Sequence, residues 1–208
     1  MSSEAMTSTK AKARVNVRKM AQVAMLGAIA VVLMLFEIPL PFAPSFYEID
    51  FSEVPVLVGC FTMGPLAGVA IELVKILLNL VINGTATAGV GELANFLIGC
   101  ALVLPAAIIY KRMHTRKGAI IGMATGTIFM TVVGCFLNAF LLLPTYAVAF
   151  GMPIEGLVEM GTAVHSSVNS LLGFVALIIV PFNLVKYTIV SVIVFFVYKR
   201  IRVVLRGD

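Results

Sequence analysis

LLGFVALIIVPFNLVKYTIVSVIVFFVY (Leu171–Tyr198) carries a single charged side chain, Lys186. A membrane-spanning helix needs about 20 predominantly apolar residues, so this stretch predicts a transmembrane helix. An ionisable group at mid-bilayer costs about 2.5–3.5 kcal/mol on insertion scales and usually faces the protein interior or a cavity. The lysine therefore needs a partner within the protein, a ligand, or a route to the membrane surface.

The composition of the whole chain agrees with a membrane location. Of its 208 residues, 61% are hydrophobic and only 12% are charged, and the mean hydropathy is +1.07. Soluble domains average about 45–50% apolar and about 25% charged residues. We predict an all-α polytopic membrane protein with one transmembrane domain. The first apolar run, Met20–Phe36, is longer than a typical signal-peptide core and is interpreted as a retained span.

The net charge of +5 reflects membrane topology and not nucleic-acid binding. Thirteen of the 15 Lys and Arg residues fall in three clusters, at residues 10–19, 111–117 and 199–206. Because Lys and Arg accumulate in cytoplasmic loops, all three clusters are expected on the cytoplasmic side. Both termini are then cytoplasmic, and the number of spans is even.

An even count requires six spans. The clear candidates are Met20–Glu37, Gly91–Tyr110, Gly118–Leu143 and a last span that ends near Tyr198. If the segment Val54–Asn83 crosses once, the total is odd, and if it crosses twice, the total is six. We therefore predict two short crossings that turn at Thr62–Gly68, where Gly-Pro is a turn signal. The predicted organisation is a basic cytoplasmic N-terminus (1–19), a six-helix domain (20–202) and a cytoplasmic tail (203–208).

Two external segments follow from this topology. The first, Ile38–Glu53, has three prolines and four aromatic residues and is too apolar for a solvated linker, so we expect it to cap the outer mouth of the bundle. The second, residues 144–170, is expected to include a helix at the membrane interface.

The sequence lacks the motifs of several chemistries. GxxxxGK[ST], HExxH and GxSxG are absent, which argues against ATP hydrolysis by a P-loop and against these classes of hydrolase. His114 and His165 are far apart, and Cys60, Cys100 and Cys135 are dispersed in apolar segments, so no metal or redox site is predicted. We expect no catalytic residues and no cofactor.

Two lysines lie outside the basic clusters. Lys75 has Glu72 three residues earlier on the same helical face, and mutual neutralisation is a sufficient structural reason for that pair, with ligand contact as the alternative. Lys186 has no acid within a helical turn, but Asn183 lies three residues before it. Pro181 precedes both, and the helix is expected to start or kink there. Snorkelling of Lys186 to the outer surface is the alternative to a role in a cavity.

Further polar residues lie near the predicted outer ends of other spans. Asn138 is six residues before Pro144, and Glu92 and Asn95 are three apart at the start of the fourth span. Each could be an interhelical hydrogen bond. Together with Asn183 and Lys186, however, the amides occupy one level on three helices, which predicts an outward-opening pocket.

The pocket's residue types favour a neutral, planar ligand. A side-chain amide offers a donor beside an acceptor, which matches an imide or uracil-like edge. The cap contributes aromatic surface for a flat ring through four residues: Phe42, Phe46, Tyr47 and Phe51. Several clustered cations are missing, so a heavily phosphorylated ligand is disfavoured.

Six spans, an apolar first external loop and no ATPase motif resemble the S components of energy-coupling factor (ECF) vitamin transporters. The segments DFSEVPVLVGCFTMGPLAGVAIELVK (50–75), GVGELANFLIG (89–99) and PFNLVKYT (181–188) resemble the riboflavin-specific members. The resemblance runs from about residue 20 to 202. The absence of Trp departs from the thiamine-specific relatives.

The resemblance implies specific roles for residues of this chain. Asn138, Asn183 and Lys186 would bond the polar edge of the flavin. Weaker candidates, for the ribityl chain or for holding the cap, are Tyr47, Asp50, Glu92 and Asn95.

The resemblance also implies a small-residue patch on the first helix that meets a transmembrane coupling subunit. Ala24, Gly27 and Ala28 fit such a patch, although close packing within the bundle explains them equally well.

The leading hypothesis is therefore a riboflavin-binding subunit in a bacterial plasma membrane. It would act with a coupling subunit and two separate ABC-type ATPases. The alternatives are an S component for another vitamin or for flavin mononucleotide (FMN), a stand-alone carrier, or a membrane enzyme.

Overall fold

The computed structural model describes the backbone of residues 2–44, 47–85 and 87–206, and the side chains of residues 17–44, 47–85, 87–198 and 200. The helices, in chain order, are α1 (Ser2–Met34), α2 (Glu53–Met63), α3 (Pro65–Asn83), α4 (Val90–Met113), α5 (Arg116–Leu137), α6 (Leu143–Phe150), α7 (Ile154–Val164), α8 (Leu171–Phe174) and α9 (Val180–Arg206). Strands β1 (Ile38–Pro39) and β2 (Glu48–Ile49) pair antiparallel in the loop after α1. The predicted all-α membrane fold is confirmed.

Within the part of the chain that the structure describes, five segments are long and apolar enough to cross a membrane. They are Val17–Met34, Pro65–Asn83, Val90–Met113, Arg116–Phe150 and Leu171–Tyr198. The helix α2 has 11 residues, about 16 Å at 1.5 Å per residue, against a hydrocarbon core of about 30 Å. A sixth crossing through α2 and the cytoplasmic placement of both termini therefore stay predictions.

The break between α2 and α3 lies inside the predicted turn at Thr62–Gly68. Gly64 has φ +100°, a conformation that only glycine adopts without strain, and it ends α2. Pro65 then opens α3, where its missing N–H is no loss.

Prolines modify the two longest membrane segments without ending them. We expected the span Gly118–Leu143 to end before Pro144 and a helix to start or kink at Pro181, but the helical path continues through both prolines. A π-helical turn precedes each one, at Asn138–Leu142 and at Val175–Ile179. A proline cannot donate to the carbonyl four residues earlier, and a widened turn accommodates that loss, as in other membrane helices. The expected end before Pro144 and a helix start at Pro181 were therefore wrong, whereas a kink at Pro181 stays a prediction.

Glycines allow the closest helix contact, between α4 and α5. A Cβ at Gly122 would lie 2.7 Å from the Ala106 carbonyl oxygen, and a Cβ at Gly126 would collide with the Leu102 carbonyl oxygen. Small residues at this spacing let membrane helices approach closely, where dispersion forces and not hydrophobicity hold them together. The contact fixes α5 against α4 and so places their outer ends side by side.

The first helix bears on two further predictions. It begins at Ser2, so the predicted N-terminal segment 1–19 shares a helix with the first span. Of the predicted partner patch, Ala24 and Ala28 are exposed, whereas Gly27 is buried against Val74 of α3. The side chains of the predicted C-terminal tail, residues 203–208, lie outside the described residues.

The predicted pair Glu72 and Lys75 is present, and a third residue joins it. Lys75 Nζ lies 2.7 Å from Glu72 Oε1 and 2.7 Å from Glu53 Oε1, and these side chains are 0–2% exposed. Lys75 also donates to Ser52 Oγ at 3.4 Å. Gly99 on α4 leaves the space that the Glu72 carboxylate fills. This carboxylate cluster ties the first turn of α2 to the middle of α3.

Candidate functional site

A cavity of about 340 Å³ lies among α1, α3, α4, α6, α9, the π turn at Asn138–Leu142 and the loop after α1. This is a volume typical of small-molecule sites. All seven residues predicted for the ligand line it: Tyr47, Asp50, Glu92, Asn95, Asn138, Asn183 and Lys186. The fold therefore brings together side chains that are up to about 140 positions apart in the chain.

Lys186 reaches Asp50 in the loop after α1. Its Nζ donates to Asp50 Oδ2 at 2.7 Å, and the two side chains are 13% and 10% exposed. The Ser52 backbone N–H donates to the other carboxylate oxygen, at 2.8 Å. Burial would raise the pKa of Asp50, but the ammonium groups of Lys186 and Lys75 and these hydrogen bonds outweigh it and lower the pKa to about 2. Asp50 is therefore ionised at neutral pH and ties the loop to α9.

Asn138 is already hydrogen bonded on both sides of its amide. It accepts from the Tyr47 hydroxyl at 2.7 Å and donates to the Gly134 carbonyl at 2.8 Å. It is also the first residue of the π turn that precedes Pro144, and π turns are frequent at functional sites. Asn138 thereby holds Tyr47, and with it the loop, over the cavity.

Asn183 is the amide with spare hydrogen-bonding capacity. It is 6% exposed, and its Nδ2 has no hydrogen-bond partner among the described residues. Gly134 faces this nitrogen, and a Cβ there would lie 3.1 Å from it. A buried amide without a partner costs about 1–3 kcal/mol, so a ligand carbonyl that accepts from Asn183 would recover that energy.

The aromatic lining differs from the prediction. Of the four aromatic residues of the loop, Tyr47 lines the cavity, Phe42 is exposed, Phe51 packs in the neighbouring hydrophobic cluster, and Phe46 lies outside the described residues. The helices contribute further rings: Tyr146, Phe182 and Tyr187. The Tyr47 and Phe182 rings lie 5.2 Å apart at an angle of 57°.

Four polar residues of the cavity were not predicted as site residues: Glu37, Glu48, Asn79 and Thr87. The available signal was that Glu37 ends the first predicted span and that Glu48 lies in the predicted external segment Ile38–Glu53. Burial, and then the hydrogen bond and the charge of Glu48, raise the pKa of Glu37 to about 7. At the other side of the mouth, Glu92 accepts a hydrogen bond from Thr85 Oγ1 at 2.9 Å.

The arrangement fits ligand binding. Buried amides and an ion pair lie at the inner end, aromatic rings flank them, and carboxylates line the mouth. Within the described residues no group of three or more His, Cys, Asp or Glu side chains could hold a metal ion.

Comparison with known proteins gives a consistent result. Residues 18–198 match the family model described as "ECF transporter, substrate-specific component". The chain is 34% identical over 188 residues to riboflavin transporter FmnP of Bacillus subtilis (strain 168), covering 90% of this chain and 93% of that protein. It is 36% identical over 184 residues to riboflavin transporter RibU of Staphylococcus aureus (strain TCH60), covering 88% and 90%.

A solved structure, described as the S component of a bacterial ECF transporter, has the same fold. Its TM-score is 0.70 at 35% sequence identity, and the match covers 89% of this chain and 96% of that one. The chain belongs to the substrate-specific (S) components of the ECF transporters.

Proposed function

We propose that this chain is the riboflavin-binding S component of an ECF-type importer in a bacterial plasma membrane, a transport subunit and not an enzyme. The observation that carries the proposal is the buried Nδ2 of Asn183, which has no hydrogen-bond partner in the described part of the chain and lies in a cavity of about 340 Å³ flanked by aromatic rings. An isoalloxazine ring has an imide edge for the amides and flat faces for the rings. Relatives at 34% and 36% identity that are named riboflavin transporters support the same ligand.

The contacts suggest a division of labour among the predicted residues. Asn183 offers a free donor, and Lys186 keeps further N–H donors besides the one given to Asp50. Asn138 acts partly through Tyr47, which it holds in place. Glu92 and Asn95, on the first turns of α4, line the same cavity, and we infer that they bind the hydroxyls of the ribityl chain.

The chain itself supplies recognition and no energy source, since it lacks a P-loop. We infer that a separate coupling subunit and two ABC-type ATPases drive release of the ligand to the cytoplasm. Ala24 and Ala28 on the exposed side of α1 suit close approach of a partner helix. Gly27 does not present its surface there because it packs against Val74.

The ligand is tested by purifying the protein from riboflavin-containing medium and recording the absorbance spectrum. We expect a yellow protein with a flavin spectrum and, after the flavin is removed, tight quenching of riboflavin fluorescence in a titration. A panel of other vitamins serves as the control. A colourless, folded protein that does not quench riboflavin would reject this ligand, and saturable binding of another vitamin would replace it.

A further inference from the structure

The cavity's charge is strongly unbalanced. Four carboxylates line it, from Glu37, Glu48, Asp50 and Glu92, against one ammonium, from Lys186. Asp50 and Lys186 form an ion pair at 2.7 Å and neutralise each other. The other three carboxylates have no Lys, Arg or His within ion-pair distance among the described residues.

These three carboxylates lie on separate elements around the mouth. Glu37 follows the end of α1, Glu48 is in β2, and Glu92 is in the first turn of α4. They are exposed or half-buried, whereas Asn138 and Asn183 at the inner end are buried. A ligand whose planar ring binds the amides therefore extends any side chain towards the carboxylates.

Carboxylates treat a hydroxyl and a phosphate in opposite ways. An ionised carboxylate is only an acceptor and binds a hydroxyl that donates to it. A phosphate monoester carries a charge of about −1.5 to −2 at pH 7 and is repelled by carboxylates. Charge interactions extend over about 8 Å at physiological ionic strength, so the whole mouth of a cavity this small lies within their range. The Lys186 ammonium is paired with Asp50 at 2.7 Å, so a single positive charge faces four carboxylates.

Resting on the proposed function, we infer that Glu48 and Glu92 are specificity-determining residues that accept hydroxylated, uncharged flavins and reject their phosphate esters. The same side chains thus favour one ligand and oppose its close analogue. The Thr85 hydroxyl donates to Glu92 Oε2 at 2.9 Å and holds that carboxylate in place.

The test compares the Kd values of riboflavin and FMN, measured by fluorescence quenching at pH 8. In the double variant Glu48→Gln/Glu92→Gln the amides keep hydrogen-bonding capacity but lose charge. We expect the ratio of the FMN Kd to the riboflavin Kd to fall at least tenfold. The matched control is Glu155→Gln/Glu159→Gln, two exposed carboxylates of α7 outside the cavity, for which the ratio should stay unchanged.

A second measurement needs no variant. In the wild-type protein, raising the salt concentration from 20 to 500 mM should tighten FMN binding severalfold by screening the repulsion, while riboflavin binding stays nearly constant. A Kd ratio that is the same in both double variants, or an FMN Kd that does not respond to salt, would overturn the inference. Absence of riboflavin binding by the wild-type protein would instead reject the proposed function.

Discussion

The two lysines of the apolar segments have opposite surroundings. Lys75 is fully buried in the helix core and lies 2.7 Å from each of two carboxylates, Glu53 and Glu72. Lys186 is 13% exposed, lines the cavity and pairs with one carboxylate, Asp50. One ammonium is enclosed on all sides by the protein, and the other has a side open to a ligand.

The difference distinguishes a charge that stabilises the fold, at Lys75, from a charge that is available to a ligand, at Lys186. A buried charge that loses its partner destabilises a protein strongly, because desolvation is no longer offset. At the margin of a cavity, water or a ligand can replace a lost partner. We therefore expect changes at Lys75 to affect folding, and changes at Lys186 to affect binding and the loop.

The largest effect should follow Lys75→Met, which leaves Glu53 and Glu72 buried without a cation. We expect a loss of about 3–5 kcal/mol of stability, seen as a collapsed yield or a much lower unfolding temperature in detergent. Glu72→Gln should also change expression or stability and not ligand affinity. If Lys75→Met had the wild-type unfolding temperature, Lys75 would not have the structural role that distinguishes it from Lys186.

Next in size is Lys186→Ala, which should weaken riboflavin binding by at least about 1–3 kcal/mol in a protein that still folds. Part of that loss comes from Asp50, which is left unpaired. The double variant Asp50→Asn/Lys186→Ala removes this contribution, and any remaining loss measures the contact with the ligand. Wild-type affinity in folded Lys186→Ala would exclude the lysine from binding.

A smaller effect is expected for Asn183→Leu, which removes a buried donor that has no hydrogen-bond partner among the described residues. Riboflavin affinity should fall by about 1–1.5 kcal/mol, roughly tenfold. The ligand-free protein should unfold at the same or a higher temperature, because replacing an unpaired polar group relieves a desolvation cost. Lower stability with unchanged affinity would assign Asn183 to the fold, beside Lys75.

The smallest expected effect is a pH dependence of the riboflavin dissociation rate, and it comes from Glu37 in the cavity. The pKa of Glu37 is raised to about 7, first by burial and then by Glu48, so its protonated form is favoured in the folded loop. This contribution is complete below about pH 4.5, the ordinary value, and is lost as the pH rises through about 7. Riboflavin should dissociate a few times faster at pH 8 than at pH 5, as measured by recovery of flavin fluorescence.

The variant Glu37→Gln provides the control, since a glutamine donates to Glu48 at every pH. Its dissociation rate should vary less between pH 5 and 8 than the wild-type rate. The same pH profile in both proteins would show that another group is responsible.

Much of the candidate site could be predicted because polar residues in apolar segments are costly. Asn138, Asn183 and Lys186 stood out against their neighbours, and a shared depth in the membrane placed them together. Glu37 and Glu48 did not stand out, because acids in an external loop need no explanation. The aromatic lining was partly mispredicted, since no local pattern shows which rings of a loop turn inwards.

Prolines show a second limit of prediction from the sequence. Pro144 and Pro181 predicted helix boundaries, but each is accommodated by a preceding π turn, and the helical path continues. A proline in the sequence correctly indicates that a helical hydrogen bond to the carbonyl four residues earlier is lost. How that loss is resolved depends on the neighbouring helices, which the local sequence does not contain.

The amino-acid sequence alone determined the membrane location, the approximate segments and the residues that need a partner. Hydropathy and the cost of a charge in lipid are properties of each residue and its near neighbours. Only the tertiary structure decided the partners themselves: Asp50 meets Lys186 across 136 positions, and Glu53 joins Lys75 across 22. The physical reason is that an ion pair depends on distance in space, and helix packing sets that distance.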